Sequence, residues 1–130
     1  PTPRAFVRRV VRTVLAHGRR PDLAVSLLLT DDREIARVHR QFLGDCSPTD
    51  VIAFDDDGES AEVVVSVQTA RRVARRRGHA VRAEVALYIV HGLLHVLGHD
   101  DTTTRARARM RNAERTCLEA LGLSVDPVDG

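Results

Sequence analysis

Residues 91–101 read HGLLHVLGHDD. His91 and His95 stand four apart inside an apolar run, VALYIVHGLLHVL, so on a helix they project from one face about one turn apart. Two imidazoles placed that way can each offer a nitrogen to a single zinc ion at roughly 2.0–2.1 Å. A neutral histidine in so apolar a setting needs partners for its ring nitrogens, and a metal supplies one. Gly98 breaks the helix and turns the chain back toward the pair, bringing His99, Asp100 and Asp101 into range as a third donor. Three protein ligands and an open fourth position make a catalytic type of zinc site; four make a structural one, with His99 as the expected fourth. Spacing alone does not choose the third ligand, and either aspartate also suits the start of the next helix as a cap. Gly92 stands where a zinc peptidase of the HExxH type carries its catalytic glutamate, which counts against that chemistry.

The polar stripe runs further back. Glu84, Tyr88, His91 and His95 follow steps of four, three and four and share one helical face. Such a seam on a greasy helix is expected to line a cleft or to fix the histidine rings from behind, with Glu84 as the candidate for that supporting role. No residue of the stripe is a clear general base; a water on the metal would have to serve.

These side chains need a scaffold. In residues 4–17 Phe6, Val7, Val10, Val11, Val14 and Leu15 recur at helical spacing, and Gly18 and Pro21 stop the helix. Residues 23–29, LAVSLLL, read as a buried strand. Thr30, Asp31 and Asp32 offer caps for a helix to about Phe42, with Ile35, Val38 and Phe42 inward. The loop LGDCSPTD, a short strand Val51–Phe54 and an acidic turn follow. EVVVSV, residues 62–67, is another strand, and Gln68–Arg77 an arginine-studded helix stopped by Gly78. The helix over Val81–Leu97 is apolar on most sides and should be the buried centre, and a last helix spans about Thr103–Leu121. The expected fold is α+β, one domain over residues 1–130, with a small mixed sheet of three to four strands against about five helices.

Composition narrows the partners. Twenty basic against 18 acidic residues give a net charge of +2, too balanced to establish a nucleic-acid partner. Every basic side chain other than histidine is arginine, which suits phosphate better than lysine does. Arg71, Arg72, Arg75 and Arg76 fall on adjacent rows of one helix, and Arg105, Arg107, Arg109 and Arg111 stud another. Such stripes can track a phosphate backbone with salt-dependent affinity. At 3% aromatic residues, stacking platforms for single strands are scarce, so any grip on RNA would rest on backbone charge. No apolar run reaches the length of a membrane span and no signal-peptide pattern opens the chain. Cys46 and Cys117 then read as reduced thiols in a cytoplasm, Cys117 in the core and Cys46 in a loop. A start at Pro1 without methionine points to missing N-terminal residues.

Two blocks carry a resemblance. HGLLHVLGHDD resembles the HGxLHLxGYDH signature of the YbeY family of bacterial rRNA-maturation endoribonucleases, and PTDVIAF at Pro48–Phe54 resembles that family's PTDVLSF. EVVVSVQTA after the acidic turn and a terminal helix with Met110 and Glu114 agree in order, so the likeness covers about Leu23–Gly122. It implies one zinc ion held by three signature positions, which fall on His91, His95 and Asp101, and hydrolysis of single-stranded RNA. It also implies work in 16S rRNA 3′-end processing and ribosome quality control, with rRNA and the small subunit as partners, and neither DNA nor membrane. The chain departs from the pattern at Asp101 and His99, where the family has histidine and tyrosine, and at Leu43, where it typically has an arginine tied to activity. His39, Ala53 and Ala61-Glu62 replace asparagine, serine and Gly-Asp. An aspartate is an ordinary zinc ligand, but it makes the metal a weaker Lewis acid. Losing the arginine removes a cation for phosphate or transition state. These two positions bear on activity more than on metal binding. They sustain the alternative of a non-catalytic ribosome-assembly or RNA-binding module with a structural metal, ahead of a zinc peptidase.

Overall fold

The computed structural model describes residues 3–43, 51–55 and 58–123, with the side chains at 39 and 41–43 left aside. Its elements are α1 (Pro3–His17), β1 (Ala24–Thr30), α2 (Asp32–Leu43), β2 (Val51–Asp55), β3 (Ser60–Ser66), α3 (Val67–Arg77), α4 (Val81–Val96) and α5 (Thr104–Ala120). The α+β class and the five helices agree with the sequence reading, and the sheet has three strands among the described residues.

The sheet order is β1-β3-β2. β3 runs parallel to β1, with Leu27 opposite Val63, and antiparallel to β2, with Ala53 also opposite Val63. Alternation sorts the side chains of β2 and β3. Val51, Ala53, Val63 and Val65 join the main core with α4, whereas Ile52, Phe54 and Val64 meet Ile35 and Val38 of α2 on the other face. LAVSLLL is therefore not the buried strand its composition suggests. β1 lies at the edge, Val25 and Leu27 are only partly buried, and Leu28 and Leu29 are 47% and 41% exposed. An unbroken apolar run reads the same whether a strand has one neighbour or two.

α4 is the centre. Ala83 through Val90 are all buried, as are Gly92, Leu93 and Leu94. α1 and α5 pack on it through Val10, Val14, Met110, Ala113, Cys117 and Leu118. Its C-terminus closes as the glycine predicted. Gly98 takes a φ of 105°, its amide reaches His95 O at 3.1 Å, and the His99 amide reaches Leu94 O at 2.9 Å. This is a Schellman closure, which satisfies two terminal carbonyls and reverses the chain.

A polar tie fixes α2 against α3. Asp31 caps α2 by accepting the Glu34 amide at 2.8 Å, and Asp32 instead reaches across to α3. Its carboxylate accepts from Ser66 Oγ, from Thr69 Oγ1 at 2.7 Å and from Arg72 Nη1 at 2.6 Å, while its amide donates to Gln68 Oε1 at 2.8 Å. The Ser66 hydroxyl first, then Thr69 and Arg72, hold the Asp32 carboxyl at about 2, against an ordinary 3.8. A depressed native pKa stabilises the fold above the unfolded value and ceases to do so as pH falls through the native one. Asp32→Asn is thus expected to cost about 1–2 kcal/mol at neutral pH. In urea melts, the gap between wild type and variant should hold down to about pH 4.5 and close between about pH 4 and pH 2. A gap independent of pH would show that the charge of Asp32 contributes nothing.

Candidate metal centre

His91 and His95 lie on the same face of the last two turns of α4, in different surroundings. The His91 side chain is 22% exposed, and its Nδ1 points inward, 3.6 Å from Oε2 of Glu114 on α5. Glu114 is 1% exposed. His95, one turn on, is exposed. The pair therefore runs from the α4–α5 interface out to the rim, just before the Gly98 reversal.

The other end of the polar seam goes elsewhere. Glu84 and Tyr88 are 1% and 2% exposed, so this half of the stripe is interior and lines no open cleft. Glu84 Oε1 lies 2.5 Å from His79 Nε2 and 3.6 Å from Arg77 Nη1, which ties the start of α4 to the end of α3. Seven residues, or about 10 Å of helix rise, separate it from His91.

Beyond the reversal, His99 is partly buried and Asp100 and Asp101 are exposed. Asp100 makes the local turn: it accepts the Thr102 amide at 3.1 Å and the Thr102 hydroxyl at 2.8 Å. Those two bonds, with Arg109 and His95 adding charge, hold its carboxyl below the usual range. Neither aspartate caps α5. Thr103 does, its Oγ1 accepting the Ala106 amide at 3.0 Å. The backbone carbonyl of Asp101 accepts from Arg107 Nη1 at 2.9 Å, which pins the loop to α5. A cavity of about 260 Å³ sits here, lined by Leu97, Gly98, His99, Asp100, Ala106 and Arg109.

The donor chemistry suits zinc: two imidazoles on one face, a buried carboxylate behind the inner ring, and carboxylates on the turn that follows. Among the described residues, no three of His, Cys, Asp and Glu are gathered closely enough to enclose an ion. The side chain of Leu43 and the whole of the Cys46 loop lie outside the described residues. Cys117 is buried on α5, and burial, with Glu114 adding to it, pushes its thiol up to about 11, so it is an inert core thiol.

Gly92 has a packing reason. A Cβ there would stand 3.1 Å from Val51 Cγ2 and 3.2 Å from Ala53 Cβ, so the glycine seats α4 directly on β2. A glutamate at this position would have to enter the interface between α4 and β2.

The arginines of α3 are exposed at 71, 72, 75 and 76 and border a surface depression of about 380 Å³. Arg72 is engaged with Asp32, so the four are not equivalent. No helix among the described residues is long and apolar enough to cross a membrane.

The described residues thus form an α+β domain with a three-stranded sheet and a histidine pair at the end of its central buried helix. The family model for endoribonuclease YbeY matches residues 2–122. Endoribonuclease YbeY of Pelotomaculum thermopropionicum is 37% identical over 131 residues, covering 92% of this chain and 86% of that protein. That of Desulforamulus reducens is 35% identical over 132 residues, with the same coverage. The chain belongs to the YbeY family. The solution structure of TM1509 from Thermotoga maritima superposes with a TM-score of 0.67 at 21% identity, over 93% of this chain and 84% of that one, which shows a shared fold.

Glu114 is the functional candidate that reading the sequence for the site passed over. It lies 23 positions from His91 on another helix; the family likeness of the terminal helix and its place one turn after Met110 were the signals that pointed to it.

Proposed function

We propose that this protein is a zinc-dependent endoribonuclease that cuts single-stranded RNA, with rRNA on the small ribosomal subunit as its substrate in 16S maturation and ribosome quality control. The family match supports the ribonuclease class, and the observation that carries the metal is the buried Glu114 carboxylate set behind His91, one turn from an exposed His95. In this reading His91 and His95 hold the ion by their ring nitrogens, Asp101 is the third ligand, and His99 stands by as an alternative. Bound there, zinc supplies Lewis acidity to a phosphoryl oxygen and lowers the pKa of a water for attack. The protein's own share is positioning. The Schellman turn at Gly98 reverses the chain after His95, and Arg107 fixes the loop that follows by the Asp101 backbone carbonyl. Arg71, Arg75 and Arg76 offer exposed cations to a phosphate backbone, whereas Arg72 is committed to Asp32.

The purified protein with one equivalent of zinc should cleave an unstructured RNA matching the 3′ region of 16S precursor and spare duplex RNA. Asp101→Ala should lower zinc affinity at least about tenfold and cleavage with it. A closed site has specific support too, since His99 is partly buried beside the turn. If zinc binds one to one, no RNA is cut, and His99→Ala weakens zinc as much as Asp101→Ala does, the metal is structural and the protein is an assembly or RNA-binding module.

A further inference from the structure

We propose that Glu114 is a positioning residue for His91: it accepts the Nδ1–H, fixes that tautomer, and leaves Nε2 as the nitrogen available to a metal. This rests on the metal reading above and adds a residue and a tautomer to it. The argument starts from cost. Glu114 is 1% exposed in the packed α4–α5 interface, and its Oε2 is buried without a hydrogen bond among the described residues. A buried carboxylate oxygen with nothing to accept costs on the order of 1–3 kcal/mol or more, so such groups survive where a donor stands close by. The group facing it is His91 Nδ1, at 3.6 Å. A proton there and an approach of well under 1 Å would make an ordinary N–H···O bond. A neutral imidazole carries one N–H, so holding it on Nδ1 obliges Nε2 to be the lone-pair donor. Metal-ligating histidines are commonly backed in this way, and the backing carboxylate raises the basicity of the ligand nitrogen.

The test has two readouts, neither of them RNA cleavage. Histidine ¹⁵N shifts in the metal-free protein, followed to a pH at which the His91 ring reports as neutral, should place its proton on Nδ1 in the wild type. In Glu114→Leu the proton should redistribute toward Nε2. Zinc affinity, read by competition with a chromophoric chelator, should fall about 10–100-fold in Glu114→Leu. Glu114→Gln keeps an acceptor oxygen and should recover most of that loss. A wild-type proton on Nε2 overturns the proposal, and so does wild-type zinc affinity in a folded Glu114→Leu. If Glu114→Leu does not fold, the wild-type tautomer and the affinity of Glu114→Gln decide. A wild type that binds no zinc removes the metal reading and this role together; tight wild-type binding with both variants unaffected removes the role of Glu114 alone.

Discussion

Gly92→Glu, the substitution that would write a peptidase HExxH into this helix, is expected to unfold the protein rather than give it a new activity. The glycine faces the sheet, with Val51 Cγ2 and Ala53 Cβ at 3.1 and 3.2 Å from where a Cβ would stand and Val63 Cγ1 at 3.6 Å. The valine methyl can swing, but Ala53 Cβ moves only with the backbone of β2. Gly92→Ala isolates this first layer: about 1 kcal/mol of helix propensity is gained, against about 1–3 kcal/mol of overpacking, for a net loss near 1 kcal/mol. Glutamate adds two methylenes and a carboxyl group to an interface of valine and alanine, which raises the cost beyond about 3 kcal/mol. Urea melts of the two variants give the ordering directly, and a zinc-supplemented peptide assay of any folded fraction should stay blank. A Gly92→Glu protein as stable as the wild type would mean that α4 does not sit on β2 as described.

The two histidines should separate in a second experiment. His91→Ala and His95→Ala are each expected to weaken zinc by at least about a hundredfold, since each removes one of three proposed ligands. Their stabilities should differ without metal. His95 is exposed, so its loss should change metal-free stability by no more than about 0.5 kcal/mol. With Glu114 accepting from His91 as proposed above, removal of His91 leaves that buried carboxylate opposite a methyl group, at about 1–3 kcal/mol. Zinc titration together with metal-free denaturation therefore gives two patterns: metal lost alone for His95, metal and stability lost together for His91. Full zinc affinity in His95→Ala would remove the shared-ion reading, whatever His91 did.

Much of the scaffold was legible in the sequence because it is set by local rules. The helical spacing of apolar residues in 4–17 produced α1 at Pro3–His17. The largely apolar stretch before Gly98 produced a central helix ending at Val96, and the glycine produced the reversal. The cap at Asp31 and the helix stop at Gly78 were legible for the same reason, since each depends on backbone groups only a few residues away. The spacing that sets His91 and His95 on one face is likewise a property of any α-helix.

What lay beyond the sequence depends on partners distant along the chain. LAVSLLL does not say that it has a single strand neighbour among the described residues, so its exposed Leu28 and Leu29 came only with the tertiary structure. The same spacing that joined Glu84 to the histidines could not show that His79 and Arg77 hold it two turns away. Gly92 read as a missing glutamate until β2 was found against it. Glu114 became the group behind His91 only when α5 packed on α4. The sequence by itself determined the helices, their stops and a histidine pair on one helical face, because period and capping act within a few residues. Which carboxylate faces His91 was decided by the tertiary structure, because packing between helices alone brings groups 23 positions apart to within 3.6 Å.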